Sequence, residues 1–192
     1  GYFYSVNPYS QQLKGISLLP SEVDCIVFWS KYPQPLLDHL RELDNLGYDY
    51  YFQFTLNDYP KQFEPDVPEL EERLAVFKRL SNLIGRDKVI WRYDPIIISS
   101  LTPLGYHINN FARLAQELKD YTTRVVVSFL DIYSKSKTKL ARLKREQGIK
   151  IWDLRKHEKE LSHLSRKIKE IAEDNRLEVQ SCGEQNNVAT NF

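Results

Sequence analysis

In the segment Lys88-Val89-Ile90-Trp91-Arg92-Tyr93-Asp94-Pro95-Ile96, the stretch Lys88–Tyr93 reads as a strand whose alternation continues to Asp94. Side chains alternate faces along a strand, so Val89, Trp91 and Tyr93 share one face while Ile90, Arg92 and Asp94 share the other. The first face suits packing beneath helices. The second carries charge, which must meet a partner, water or a ligand, because burying it unpaired costs several kcal/mol.

The same division recurs on either side. In the strand expected over Tyr48–Leu56, the apolar set is Tyr50, Phe52, Phe54 and Leu56, and the polar set is Tyr51, Gln53, Thr55 and the following Asn57. The strand expected over Leu177–Cys182 turns Leu177, Val179 and Ser181 outward, with Gln180, Cys182 and then Glu184 inward. Further strands are expected at Tyr2–Val6, Asp24–Ser30 and Arg124–Leu130.

Helix-period segments separate these strands. Pro68 opens one with the apolar stripe Leu70, Leu74, Phe77, Leu80 and Ile84, and Gly85 closes it. Its Glu69, Glu71 and Glu72 lie near the positive end of the helix dipole. Another carries Ile108, Phe111, Ala112, Ala115 and Leu118 on one face, and others are expected at Pro35–Leu46, Lys135–Gln147 and His157–Asp174. Strands alternating with helices predict parallel strands joined by crossover helices. The expected architecture is α/β: a TIM-like (β/α) barrel with parallel strands, partial or complete. It forms a single domain over 1–184, with a frayed tail over 185–192. A complete eight-stranded barrel usually takes about 250 residues, which favours a partial one.

Composition narrows the class. The net charge of +1 creates no whole-molecule field to announce a nucleic-acid or membrane partner. No run reaches the roughly 18–20 apolar residues of a bilayer span, and no signal-peptide pattern opens the chain. With only two cysteines, Cys25 and Cys182, a disulfide framework is not expected and a cytoplasmic location is. A chain that opens inside a strand and contains no methionine is expected to be a piece of a longer one, or one whose modified methionines are uncounted.

Polar residues near the carboxyl ends of parallel strands share the rim where barrel and doubly wound enzymes bind substrates. That makes Lys31, Gln53, Thr55, Asn57, Arg92, Asp94, Ser128, Asp131, Cys182 and Glu184 candidate substrate-binding residues, with Asn7 and Ser30 on the same rim. The ligand expected there is a small molecule or nucleotide-type compound. Arg92 would grip an anionic group bidentately, with Asp94 and Glu184 orienting it. The competing reading is a self-satisfied network in which Arg92 bridges Asp94 and Glu184. Asp131 suits equally well the cap of the charged helix that follows it.

Other motifs are wanting. His39, His107, His157 and His163 form no HExxH or i,i+4 pair, so no zinc site is expected. No glycine-rich phosphate loop and no GxSxG elbow occurs. Residues 134–157 are rich in Lys and Arg and form a candidate contact with nucleic acid, although a solvated helix face is the commoner meaning of such a run.

Several segments together resemble a bacterial family of uncharacterised proteins, domain of unknown function 1848. They are Ser5-Val6-Asn7-Pro8, Val27-Phe28-Trp29-Ser30-Lys31, Tyr51-Phe52-Gln53-Phe54-Thr55-Leu56, Trp91-Arg92-Tyr93-Asp94-Pro95-Ile96, Ser128-Phe129-Leu130-Asp131 and Ser181-Cys182-Gly183-Glu184. Members of that family typically begin with a Ser-Arg-Arg-Thr-Asp-Ile-Pro-like segment and end in a C-x3-C-x2-C-like cluster. Neither occurs here, and Tyr32 stands where Asn is expected. The resemblance implies a radical S-adenosylmethionine-type enzyme, related in style to the barrel of spore photoproduct lyase, with a four-iron cluster and S-adenosylmethionine as cofactors. Three thiolates hold such a cluster, and two cysteines cannot supply them.

The expected function is therefore the substrate-positioning core of an iron–sulfur, radical-type enzyme. The alternatives are a non-catalytic domain that binds a ligand or nucleic acid, and, more weakly supported, a hydrolase or lyase using Asp94 and Glu184.

Overall fold

The computed structural model describes residues 1–130 and 134–181. Tyr2–Val6 (β1) and Leu13–Ser17 (β2) pair antiparallel as a hairpin. Asn7 makes its turn: the Asn7 side-chain oxygen accepts from the backbone N–H of Tyr9 at 2.8 Å and of Ser10 at 3.1 Å. Then come Ile26–Ser30 (β3), Leu40–Leu46 (α1), Tyr50–Thr55 (β4), Leu70–Ile84 (α2) and Val89–Ile96 (β5). Ile98–Ser99 (β6), Leu104–Leu118 (α3), Arg124–Phe129 (β7) and Ser134–Gln147 (α4) follow. The described chain ends with Ile151–Trp152 (β8), Glu158–Asp174 (α5) and Glu178–Ser181 (β9).

The central sheet is parallel, in the order β3-β4-β5-β7-β9, so its neighbours follow one another along the chain with no reversal. β6 and β8 form a separate antiparallel pair. One face of the sheet is the core. Phe52, Phe54, Trp91, Tyr93, Val125 and Val127 are buried there, and helices cover them. Phe77 of α2 meets Phe54 with ring centroids 5.1 Å apart, and Phe111 of α3 stacks on Trp91 at 4.9 Å. Register partners in parallel strands share a face, so Phe28, Phe52, Val89 and Val125 belong to this layer as well.

Several expectations are corrected. No closed barrel exists among the described residues: five strands form an open sheet with β3 and β9 at its edges. Five is too few, since closing a barrel around packed side chains takes about eight tilted strands. Tyr2–Val6 is not a strand of that sheet either, because the turn at Asn7 returns the chain onto its own edge. Asn7 thus serves the hairpin and lies off the rim. α3 buries Phe111, Ala115 and Leu118 as expected, but its buried face also takes in His107, Asn110 and Leu114. No helix among the described residues is long and apolar enough to cross a membrane.

Candidate functional site at the strand ends

The second face of the sheet carries the polar set. Cross-strand register places Trp29 beside Gln53, Gln53 beside Ile90, and Thr55 beside Arg92, with Val126 and Gln180 continuing the Arg92 row. Arg92 is the hub. Its Nε donates to Asp94 Oδ2 at 2.9 Å, Nη2 donates to the same oxygen, and Nη1 donates to Gln53 Oε1 at 2.6 Å. Ser128 Oγ donates to the other carboxylate oxygen, Asp94 Oδ1. The guanidinium carbon lies 4.2 Å from the centroid of the Trp29 ring, a cation–π contact. Arg92 is 3% exposed, and such a charge is tolerated there because Asp94 neutralises it and its N–H groups find acceptors.

The segment after β4 fixes the end of β5. Leu56 N–H donates to Arg92 O at 3.0 Å, and Trp91 Nε1 donates to Leu56 O at 2.9 Å. Asn57 grips the Asp94 backbone at both ends: its Nδ2 donates to Asp94 O at 3.0 Å and its Oδ1 accepts from Asp94 N at 3.2 Å. Tyr59 then donates its hydroxyl to Pro95 O at 2.7 Å and accepts from Ile97 N at 2.9 Å. Burial drives the Tyr59 phenol well above its usual range, so it stays protonated and can donate. Asn57 and Tyr59 hold the strand end that presents Asp94.

A buried polar group lies behind it on the helix side. His107 Nε2 is 2.9 Å from Ile97 O, which can only accept, so Nε2 carries the proton and Nδ1 accepts from the Tyr93 hydroxyl at 2.9 Å. Asn110 Nδ2 donates to that hydroxyl at 3.3 Å. Desolvation lowers the His107 pKa to about 4, which keeps the ring neutral, and raises that of Tyr93. The contacts explain why α3 turns His107 and Asn110 inward: a buried phenol needs partners.

The structure brings Gln53, Arg92, Asp94 and Ser128 into one hydrogen-bonded network, with Thr55 buried alongside and Asn57 as its backbone clamp. Lys31 is drawn elsewhere. Its ammonium pairs with Glu64, whose carboxylate side chain is only 9% exposed. Ser30 accepts from Tyr32 N at 3.0 Å and shapes the turn after β3. Asp131, Cys182 and Glu184 lie outside the described residues. The edge of Arg92 expected to grip an anion, Nε with Nη2, is committed to Asp94. Trp29 is the residue that pattern reading passed over. Its parity with Val27 and its register with Gln53 place it on the polar face, and alternation along Ile26–Ser30 is the signal that identifies it.

Among the described residues no group of three or more His, Cys, Asp and Glu side chains is placed to hold a metal ion. Cys25 is exposed and precedes β3, at the opposite end of the strand from Trp29 and Lys31. Two cysteines do not make the three-thiolate set of a four-iron cluster, so this chain's own residues do not fit that group.

Comparison with known proteins adds one finding. No curated protein and no solved structure matches the chain. The profile of the family described as domain of unknown function (DUF1848) matches residues 1–191, and the chain belongs to that family.

Proposed function

We propose that this chain is the substrate-positioning α/β core of an enzyme, with its site on the polar face at the carboxyl ends of β3, β4, β5 and β7. The observation that carries the reading is the Trp29–Gln53–Arg92–Asp94–Ser128 constellation, at the carboxyl ends of parallel strands, the end at which barrel enzymes bind their substrates. Sequential strand order with the core on one face and polar groups on the other supports kinship with a partial barrel. Arg92 acts as a positioning residue that fixes Trp29, Gln53 and Asp94, and a ligand meets those three together with Ser128.

The reaction class favoured by the family likeness is radical S-adenosylmethionine chemistry. Because the chain has two cysteines, a cluster would need thiolates supplied from outside these 192 residues. The test is to express the whole reading frame and purify it without oxygen. About four irons per chain, with the visible absorption of a thiolate-bound cluster, support the radical class. A colourless, iron-free protein overturns that class. If it still binds a small molecule at this face, the non-catalytic binding domain is the correct reading.

A further inference from the structure

Trp29 is 63% exposed, whereas Thr55, Ile90, Arg92 and Val126 on the same sheet face are each under a tenth exposed. Its ring is therefore the part of this polar face that a ligand can reach. We propose that the open face of the Trp29 ring is a stacking surface for a planar, uncharged heteroaromatic ring, which makes the ligand class of this site nucleobase-bearing. The inference rests on the preceding reading that the polar face is a ligand site.

Three observations select that occupant. First, the indole is held in place from behind: Arg92 lies 4.2 Å from its centroid, and Asp94 and Gln53 in turn hold Arg92. A fixed ring loses little entropy on binding. Second, a guanidinium already lies against the ring, so a second cation on the open side would be repelled through it. The negative π-face also disfavours an anion, which leaves neutral π-systems as the best partners. Third, Gln53 turns its Oε1 to Arg92, so its amide nitrogen points away from the guanidinium, on the strand beside Trp29. A hydrogen-bond donor beside a stacking surface suits the ring nitrogens and carbonyls of a base.

The base can belong to a free nucleotide or to a single strand, and the experiment separates them. Calorimetric titrations of the wild type, Trp29→Ala and Trp29→Phe use adenosine 5′-monophosphate, ribose 5-phosphate and a short oligoadenylate at one fixed salt concentration. Circular dichroism melts confirm that each variant folds, as expected for so exposed a position. The wild type should bind the mononucleotide at least about tenfold more tightly than ribose 5-phosphate. Trp29→Ala should weaken it about 5- to 150-fold, as loss of one stacked base does, and Trp29→Phe should retain most of the affinity. Oligoadenylate binding that is tighter per base, and lost in Trp29→Ala, supports a strand as the source; no gain over the mononucleotide supports a free nucleotide. Stacking is overturned if the mononucleotide does not bind, if Trp29→Ala binds it as well as the wild type, or if ribose 5-phosphate binds equally tightly. Ribose 5-phosphate binding that ignores Trp29 would leave the ligand site standing without its stacking surface, whereas a face that binds none of the three probes loses both readings.

Discussion

Asp94 is held on every side that the described residues offer it. Asn57 clamps its backbone, Arg92 and Ser128 share its carboxylate, and its side chain is 15% exposed. Asp94→Ala should therefore cost about 3 kcal/mol of folding free energy, because it strands a buried guanidinium. The double variant Arg92→Met with Asp94→Ala should recover part of that loss, since an apolar side chain needs no partner. Urea unfolding of both decides it, and equal loss in the two would mean that the ion pair was not the cause. His107 gives a second test. Its folded pKa of about 4 lies below the ordinary value of 6.5 because burial penalises the imidazolium. Its neutral-state contribution is fully present above pH 6.5 and is lost as pH falls through 4, a swing of about 3 kcal/mol across that window. His107→Gln should flatten the fall in unfolding free energy between those limits, whatever it costs at pH 7. At this scale Gln53, Arg92 and Asp94 were legible because a strand's period of two sorts faces without knowledge of the fold. The Lys31–Glu64 pair was not, because it joins residues 33 apart through a loop whose path no periodicity records.

The helices were the most legible elements. α2 runs from just after Pro68 to Gly85, and α1 ends at Gly47, as turn chemistry predicts. The two glycines differ in a measurable way. Gly47 has φ +79° and ψ 28°, the left-handed region, whereas Gly85 has φ +93° and ψ 145°, a region almost closed to other residues. A Cβ at either position would meet nothing within 4 Å, so any cost of alanine is backbone strain alone. Gly47→Ala should cost about 1 kcal/mol and Gly85→Ala about 2–3 kcal/mol, and thermal melts should rank them in that order. The reverse ranking would mean that the chain relaxes around Gly85. β2, β6 and β8 escaped sequence reading for a physical reason. Two of them are two residues long, and Leu13–Ser17 contains lysine and glycine where a buried strand would carry apolar side chains.

At the scale of the molecule, alternating strand and helix signals identified parallel strands but not whether the sheet closes, because closure depends on strand number and tilt rather than on any single segment. The hairpin is the sharpest difference between segment and whole. Tyr2–Val6 has the residues of a strand, yet Tyr2, Phe3, Tyr4 and Val6 are each more than half exposed, and so is Leu13 across from them. The Tyr48 hydroxyl, donating to Leu18 O, is a tie between its base and the body of the protein. A two-stranded ribbon with so little buried area is marginal by itself in water, whereas Phe52, Trp91 and Val125 belong to a core that opens only on global unfolding. Native-state hydrogen exchange should therefore find the β1–β2 amides exchanging at least about 100-fold faster than those of β4, β5 and β7. Denaturant well below the unfolding midpoint should leave the hairpin rates unchanged while the core rates rise. Equal protection in hairpin and sheet would show that the ribbon unfolds with the core and that its exposed aromatic side chains are covered in solution.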